Sequence, residues 1–134
     1  MAAFARRSTP PCAAWAAIAV ESLIDADTLA LVAAAIDRAT LLRLMTVFIE
    51  DTDGRLERLQ SLAAAGDLAR LAQEAHALKG SAASMGAAAI ADAAGELEQR
   101  AWHGRGDWQG SVAALRAVAE RSYPSLLGWC ERSA

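Results

Sequence analysis

The sequence predicts a single all-α domain, an antiparallel up-down-up-down four-helix bundle with additional short helices at its N-terminus. Alanine, the best helix former, is abundant, whereas Gly and Pro contribute only 9 and 3 of the 134 residues. Apolar residues recur at helical spacing in long segments, and we find no alternating pattern typical of a strand. Short breaks separate these segments, as expected for antiparallel neighbours in a bundle.

Residues 1–22 are predicted to form an extension with a helix over residues 12–22, and residues 23–134 are predicted to form the bundle. The apolar run of the extension is much shorter than the roughly 18 apolar residues of a membrane span. We therefore interpret it as part of a cytoplasmic protein that makes no membrane contact. Asp27 is the predicted N-cap of a short helix ending near Ile36, because its carboxylate can accept from free backbone N–H groups.

The longest predicted helix covers residues 37–65, and Asp53-Gly54 interrupts its pattern only mildly. Gly66 is expected to end this helix, since glycine is favoured just after a helix C-terminus, and Asp67 is expected to cap the next one. The apolar positions that recur at helical spacing, and so predict its buried face, are Leu41, Leu44, Phe48, Leu56, Leu59 and Leu62.

Three further helices are predicted over residues 67–85, 87–102 and 107–131, with a glycine-rich loop before the last one. Pro124 is expected to kink or split the last helix, because proline lacks the backbone N–H that an α-helix needs. The predicted core positions of the last two helices are Ile90, Ala94, Leu97, Val112, Leu115, Val118, Leu126 and Leu127.

Composition excludes several classes of function. The formal net charge is -3 with basic and acidic residues interspersed, so a nucleic-acid partner is not expected. No acidic cluster has the spacing of a metal site, no glycine-rich nucleotide loop is present, and no cofactor is predicted. Cys12 and Cys130 are interpreted as free thiols of a reducing cytosol, with a bridge between the termini as the alternative. The compact length favours a monomer.

The chemically informative segment surrounds His76. On a helical wheel the imidazole lies roughly 130° from the centre of the predicted buried stripe, so it is expected to point into water. The residues around it are all small and leave room for another protein; they are Ala69, Ala72, Gly80 and Ala83. The residues that we predict to contact such a partner are Ala69, Ala72, Gln73 and Ala83.

Lys79 and Gly80 follow His76 by one helical turn. Lys79 is the only lysine of the chain, and its ammonium could neutralise a phosphoryl group attached to the imidazole. Gly80 costs about 0.5–1 kcal/mol relative to alanine inside a helix, and close approach by a partner would offset that cost. Tight packing between helices is the alternative explanation for Gly80, and ordinary solvated charge is the alternative for Lys79.

The stretch His76-x-Leu78-Lys79-Gly80-Ser81, followed by Gly86 and later by Leu97-Glu98, resembles the signature of histidine-containing phosphotransfer (HPt) domains. The likeness extends over residues 23–127. It implies that His76 accepts a phosphoryl group from a receiver-domain aspartate and passes it to another receiver. Lys79 would steady that group, and Gly80 would leave room for docking. Glu98 would accept a hydrogen bond from the imidazole, unless it is an ordinary surface carboxylate.

The resemblance also implies partners, namely the receiver domains of response regulators and a hybrid histidine kinase. It implies a phosphoryl carrier without ATP-dependent kinase activity of its own. One alternative is a helical adaptor of the same fold that binds and inhibits a receiver or kinase without carrying phosphate. Another is a helical hydrolase using His76 with Glu98, which is disfavoured because no Ser or Cys nucleophile is positioned beside them.

Overall fold

The computed structural model describes residues 18–104 and 106–133, and all regular structure within these ranges is helical. The all-α prediction is therefore confirmed. A short 3-10 turn at Val20–Ser22 precedes five α-helices. These are α1 (Ala26–Ala35), α2 (Arg38–Ala65), α3 (Leu68–Ser84), α4 (Ala88–Trp102) and α5 (Trp108–Arg132).

Helices α2 to α5 form the bundle. Around it α2 packs against α3, α3 against α4, α4 against α5 and α5 against α2, while α1 packs on α2. Two hydrogen bonds show that α2 and α5 are antiparallel: Tyr123 donates to Asp53 at 2.8 Å, and Arg116 donates to Gln60 at 3.2 Å. The largest fully buried side chains of the core are Leu23, Leu29, Leu41, Met45, Leu56, Leu59, Leu71, Leu78, Ile90, Leu97, Leu115 and Leu126.

Aspartate side chains cap the N-termini of α1, α2, α3 and α5. Asp67 accepts from the backbone N–H of Arg70 and begins α3, and Gly66 ends α2 in the left-handed conformation with φ of 71°, both as predicted. The predicted cap Asp27 is wrong, because Asp25 begins α1 instead. The Asp25 carboxylate accepts from the Thr28 hydroxyl at 2.8 Å and from two backbone N–H groups. These bonds, above all that from the Thr28 hydroxyl, lower the pKa of Asp25.

The two long helices continue through the positions where the sequence predicted an interruption or a kink. Helix α2 is continuous across Asp53-Gly54, and α5 is continuous through Pro124. Leu44 is exposed, so its predicted place in the core is wrong. The buried stripe of α2 passes through Met45 instead, one position further around the helix. Among the remaining predicted core positions, Leu62 and Leu127 are only partly buried.

The chain before α1 is tied to the connection between α3 and α4. The backbone N–H of Asp25 donates to the carbonyl of Gly86 at 2.8 Å, and that of Ala89 donates to the carbonyl of Leu23 at 3.2 Å. Of the helix predicted over residues 12–22, the described part contains only the short turn at Val20–Ser22, and residues 12–17 lie outside the described range. In the part of the chain described here, no helix is both long and apolar enough to cross a membrane.

Candidate functional site

His76 lies on the outer face of α3, and 67% of its side chain is exposed. The opposite face of α3 packs into the bundle. The residues of that buried face are Leu71, Ala72, Ala75, Leu78 and Ala82. The predicted orientation is therefore confirmed: the imidazole points into solvent from a helix that is anchored along its whole length.

Glu98, on the neighbouring helix α4, contacts the Nδ1 side of this imidazole. The Nδ1 atom of His76 lies 3.0 Å from Oε2 of Glu98, whose side chain is only 15% exposed. A carboxylate accepts hydrogen bonds and cannot donate them, so Nδ1 carries the proton and donates. In the neutral imidazole the remaining ring nitrogen, Nε2, then keeps its lone pair and can act as a nucleophile.

Lys79 lies on the other side of the same carboxylate. Its Nζ is 3.5 Å from Oε1 of Glu98, a buried oxygen that makes no hydrogen bond. Charge-assisted N–H···O bonds are usually about 2.7–2.9 Å long, so this ammonium balances the charge of Glu98 without being locked onto it. His76, Glu98 and Lys79 thus form one cluster, which we call the His76 cluster, with the carboxylate between the two nitrogen-bearing groups.

Gly95 belongs to this arrangement, although the sequence analysis did not single it out. A Cβ atom added at Gly95 would lie 3.1 Å from Cδ of Lys79, so the glycine leaves space for the lysine stem. The signal that could have revealed it is a glycine in the middle of an Ala-rich helix, three residues before Glu98. Its role depends on the register between α3 and α4, and the residue pattern of a single helix does not specify that register.

Gly80 is open to solvent. A Cβ atom added there would meet no atom within 4 Å, so tight packing between helices does not explain this glycine. Of the residues predicted to contact a partner, Ala69, Gln73 and Ala83 are exposed on the same helix as His76. The prediction for Ala72 is wrong, because this residue is fully buried.

The register of α3 and α4 explains the burial of Ala72. His76 lies opposite Glu98, and Lys79 lies against Gly95. Continuing this antiparallel register by about one turn places Ala72 against the end of α4, so it faces the neighbouring helix and cannot contact a partner protein. Helix periodicity alone placed it beside His76, outside the predicted buried stripe.

A shallow groove lies between α2 and α3, beside the His76 face, and no residue of the His76 cluster lines it. Its walls include Arg58, Arg70, Gln73 and Glu74. Glu74 is already engaged there, since it accepts from Arg55 at 2.8 Å and from Arg58 at 3.3 Å. Within residues 18–104 and 106–133, no three His, Cys, Asp or Glu side chains are grouped to hold a metal ion.

The model of the Hpt domain family matches residues 43–122, which is 80 of the 134 residues. The chain belongs to the Hpt domain family. The matched segment contains most of α2, the whole of α3 and α4 with the His76 cluster, and the first part of α5. No curated protein and no solved structure was found to match the chain.

Membership of the Hpt family places the chain in two-component signal transduction. Hpt domains are helical phosphocarrier modules of phosphorelays, and they interact with receiver and kinase domains without being kinases themselves. At this level the prediction of a histidine phosphotransfer domain is confirmed.

Proposed function

We propose that this Hpt domain carries a phosphoryl group on Nε2 of His76, accepting it from the aspartate of one receiver domain and passing it to another. The observation that carries the proposal is the 3.0 Å contact between Nδ1 of His76 and Glu98. With Nδ1 engaged in this way, Nε2 of the largely exposed ring is the nitrogen available to a phosphoryl donor brought by another protein.

In the accepting step, Nε2 attacks the phosphorus atom of the receiver's aspartyl phosphate. The bond between phosphorus and the aspartate oxygen breaks, and the aspartate leaves as a carboxylate with the electron pair of that bond. The proton on Nδ1 stays in place, so the phosphorylated ring carries a positive charge. The Glu98 carboxylate, 3.0 Å away, stabilises that charge. Transfer to the next receiver is the same step in reverse.

Lys79 is the group available to the phosphoryl oxygens. Its ammonium lies one helical turn from His76 and is held only loosely by Glu98, at 3.5 Å. A phosphoryl group on Nε2 carries more negative charge than the carboxylate and would draw the ammonium outward. Lys79 would then offset the repulsion between that group and Glu98.

The partner supplies the rest of the reaction. Phosphoryl transfer depends mainly on positioning and on charge stabilisation at the phosphorus. The Hpt chain offers a preoriented nucleophile and one cation, so the phosphoryl donor and the other stabilising charges come from the receiver. This division supports a carrier over an adaptor that only binds, because simple binding requires neither a defined imidazole tautomer nor a cation beside it.

The test is transfer of a radioactive phosphoryl group from receiver domains of the same cell. The wild-type protein should acquire a label that is labile in acid and stable in base, and His76→Ala should acquire none. Glu98→Gln, which keeps an acceptor for Nδ1–H, should be labelled more rapidly than Glu98→Ala. An equally labelled His76→Ala protein would overturn the proposal, and a tight complex without any label would identify the adaptor instead.

A further inference from the structure

Trp102 is a large apolar side chain exposed at the end of α4. It is the last residue of the helix, and 61% of it is accessible to solvent. It follows Glu98 by four residues, so the two side chains are neighbours on one edge of α4, with Cβ atoms about 5–6 Å apart. Most of the indole surface is therefore left in solvent by the packing of the fold.

The register between α3 and α4 places this indole beside the His76 face. The contacts of Glu98 with His76 and of Gly95 with Lys79 show that this edge of α4 faces the exposed edge of α3. One turn further along, the same register puts Trp102 next to the N-terminal half of α3. Besides His76, the exposed residues of that half of α3 are Ala69, Arg70 and Gln73.

A receiver that reacts with His76 has to cover this position. Its aspartyl phosphate must come within bonding distance of Nε2, so the interface is centred on the imidazole. A specific interface buries about 800 Å² on each partner, which corresponds to a disc with a radius of about 16 Å. Trp102 is one helical turn from Glu98, and Glu98 is hydrogen-bonded to His76, so the indole lies well inside that radius.

We infer that Trp102 is an anchor residue for the receiver domain that exchanges the phosphoryl group with His76. The inference rests on the proposed function and adds to it a docking residue of this particular chain. Tryptophan is enriched among the few interface residues that dominate binding, because it buries a large rigid surface. The small residues around His76 let the receiver approach closely, and the indole supplies apolar contact area at the rim. The receiver is expected to present an apolar patch next to its phosphorylated aspartate.

The test uses the receiver domain that labels the wild-type protein fastest, and measures the transfer rate against receiver concentration. Trp102→Ala should raise the concentration for half-maximal rate by about tenfold or more, whereas the rate at saturation should change less than twofold. Glu120→Ala is the control, because Glu120 is exposed on α5, which packs mainly against α2 and α4. Its concentration dependence should equal that of the wild type.

Tryptophan fluorescence provides a second readout of the same contact. Addition of the receiver should change the emission of the wild-type protein and of Trp129→Phe, since Trp129 lies partly buried on α5. The change should be largely lost in Trp102→Phe. An unchanged concentration dependence in Trp102→Ala would overturn the inference while leaving the proposed function intact. Failure of every receiver to label the wild-type protein would overturn both.

Discussion

Replacement of Gly80 by alanine should make this protein more stable, although the glycine belongs to its most informative segment. Gly80 lies inside α3, its φ is not positive, and an added Cβ atom meets nothing within 4 Å. Alanine therefore brings its higher helix propensity without a clash, and the expected gain is about 0.5–1 kcal/mol in free energy of unfolding. For a domain of this size, about 1 kcal/mol corresponds to about 3–5 °C in Tm.

Urea unfolding followed by circular dichroism measures this gain, and Gly66→Ala is the matched control. An added Cβ atom at Gly66 also meets nothing within 4 Å, but φ is +71°. The left-handed conformation costs alanine about 1–2 kcal/mol, so this variant should be less stable than the wild type. A Gly80→Ala protein that is destabilised, or two variants that shift in the same direction, would refute the reasoning.

The role of Gly80 in phosphoryl transfer is tested with a bulkier side chain. Gly80→Gln should fold normally but accept the phosphoryl group more slowly from a receiver, because glutamine fills the space in which the partner approaches. Labelling by a small phosphoramidate, which needs no docking surface, should be nearly unchanged. If the receiver reacts equally fast with Gly80→Gln, clearance for docking is not the reason for this glycine.

Three further variants test other parts of the account. Gly86→Ala should cost about 3 kcal/mol in urea unfolding, because the new Cβ would lie 2.7 Å from Cγ of Leu29 at a φ of +73°; a loss below about 1 kcal/mol would contradict this. Asp25→Ala should lower Tm at neutral pH, and the difference should shrink as the pH falls through the lowered folded-state pKa of Asp25, below which the capping carboxylate is protonated; a difference independent of pH would refute it. Lys79→Ala should shorten the lifetime of the phosphorylated protein measured by loss of label, and an unchanged lifetime would mark Lys79 as ordinary solvated charge.

Features that depend on one helix at a time could be predicted from the sequence. The 3.6-residue periodicity of α3 placed His76 outside the core, and Gly66 and Asp67 marked the boundary between α2 and α3 correctly. The misplaced cap shows a local limit. Asp25 and Asp27 can both accept from free N–H groups, so the local sequence does not distinguish them as caps. In the fold, the residue that caps α1 is Asp25, and its backbone N–H is also hydrogen-bonded to the connection after α3.

Features that depend on the register between helices could not be predicted in this way. Ala72 and Gly95 acquire their roles from the residues opposite them on the neighbouring helix. The same is true of Trp102, whose position beside the site follows from the register that the contact between Glu98 and His76 defines. Side-chain spacing within one helix does not specify how far the next helix slides along it.

The most direct test of the central claim is to identify which ring nitrogen of His76 carries the phosphoryl group. NMR of the ¹⁵N-histidine-labelled protein after transfer from a receiver distinguishes the two nitrogens by their coupling to phosphorus. With Nδ1 engaged by Glu98 at 3.0 Å, the phosphoryl group should be on Nε2. A phosphoryl group on Nδ1, or on any residue other than His76, would contradict the account.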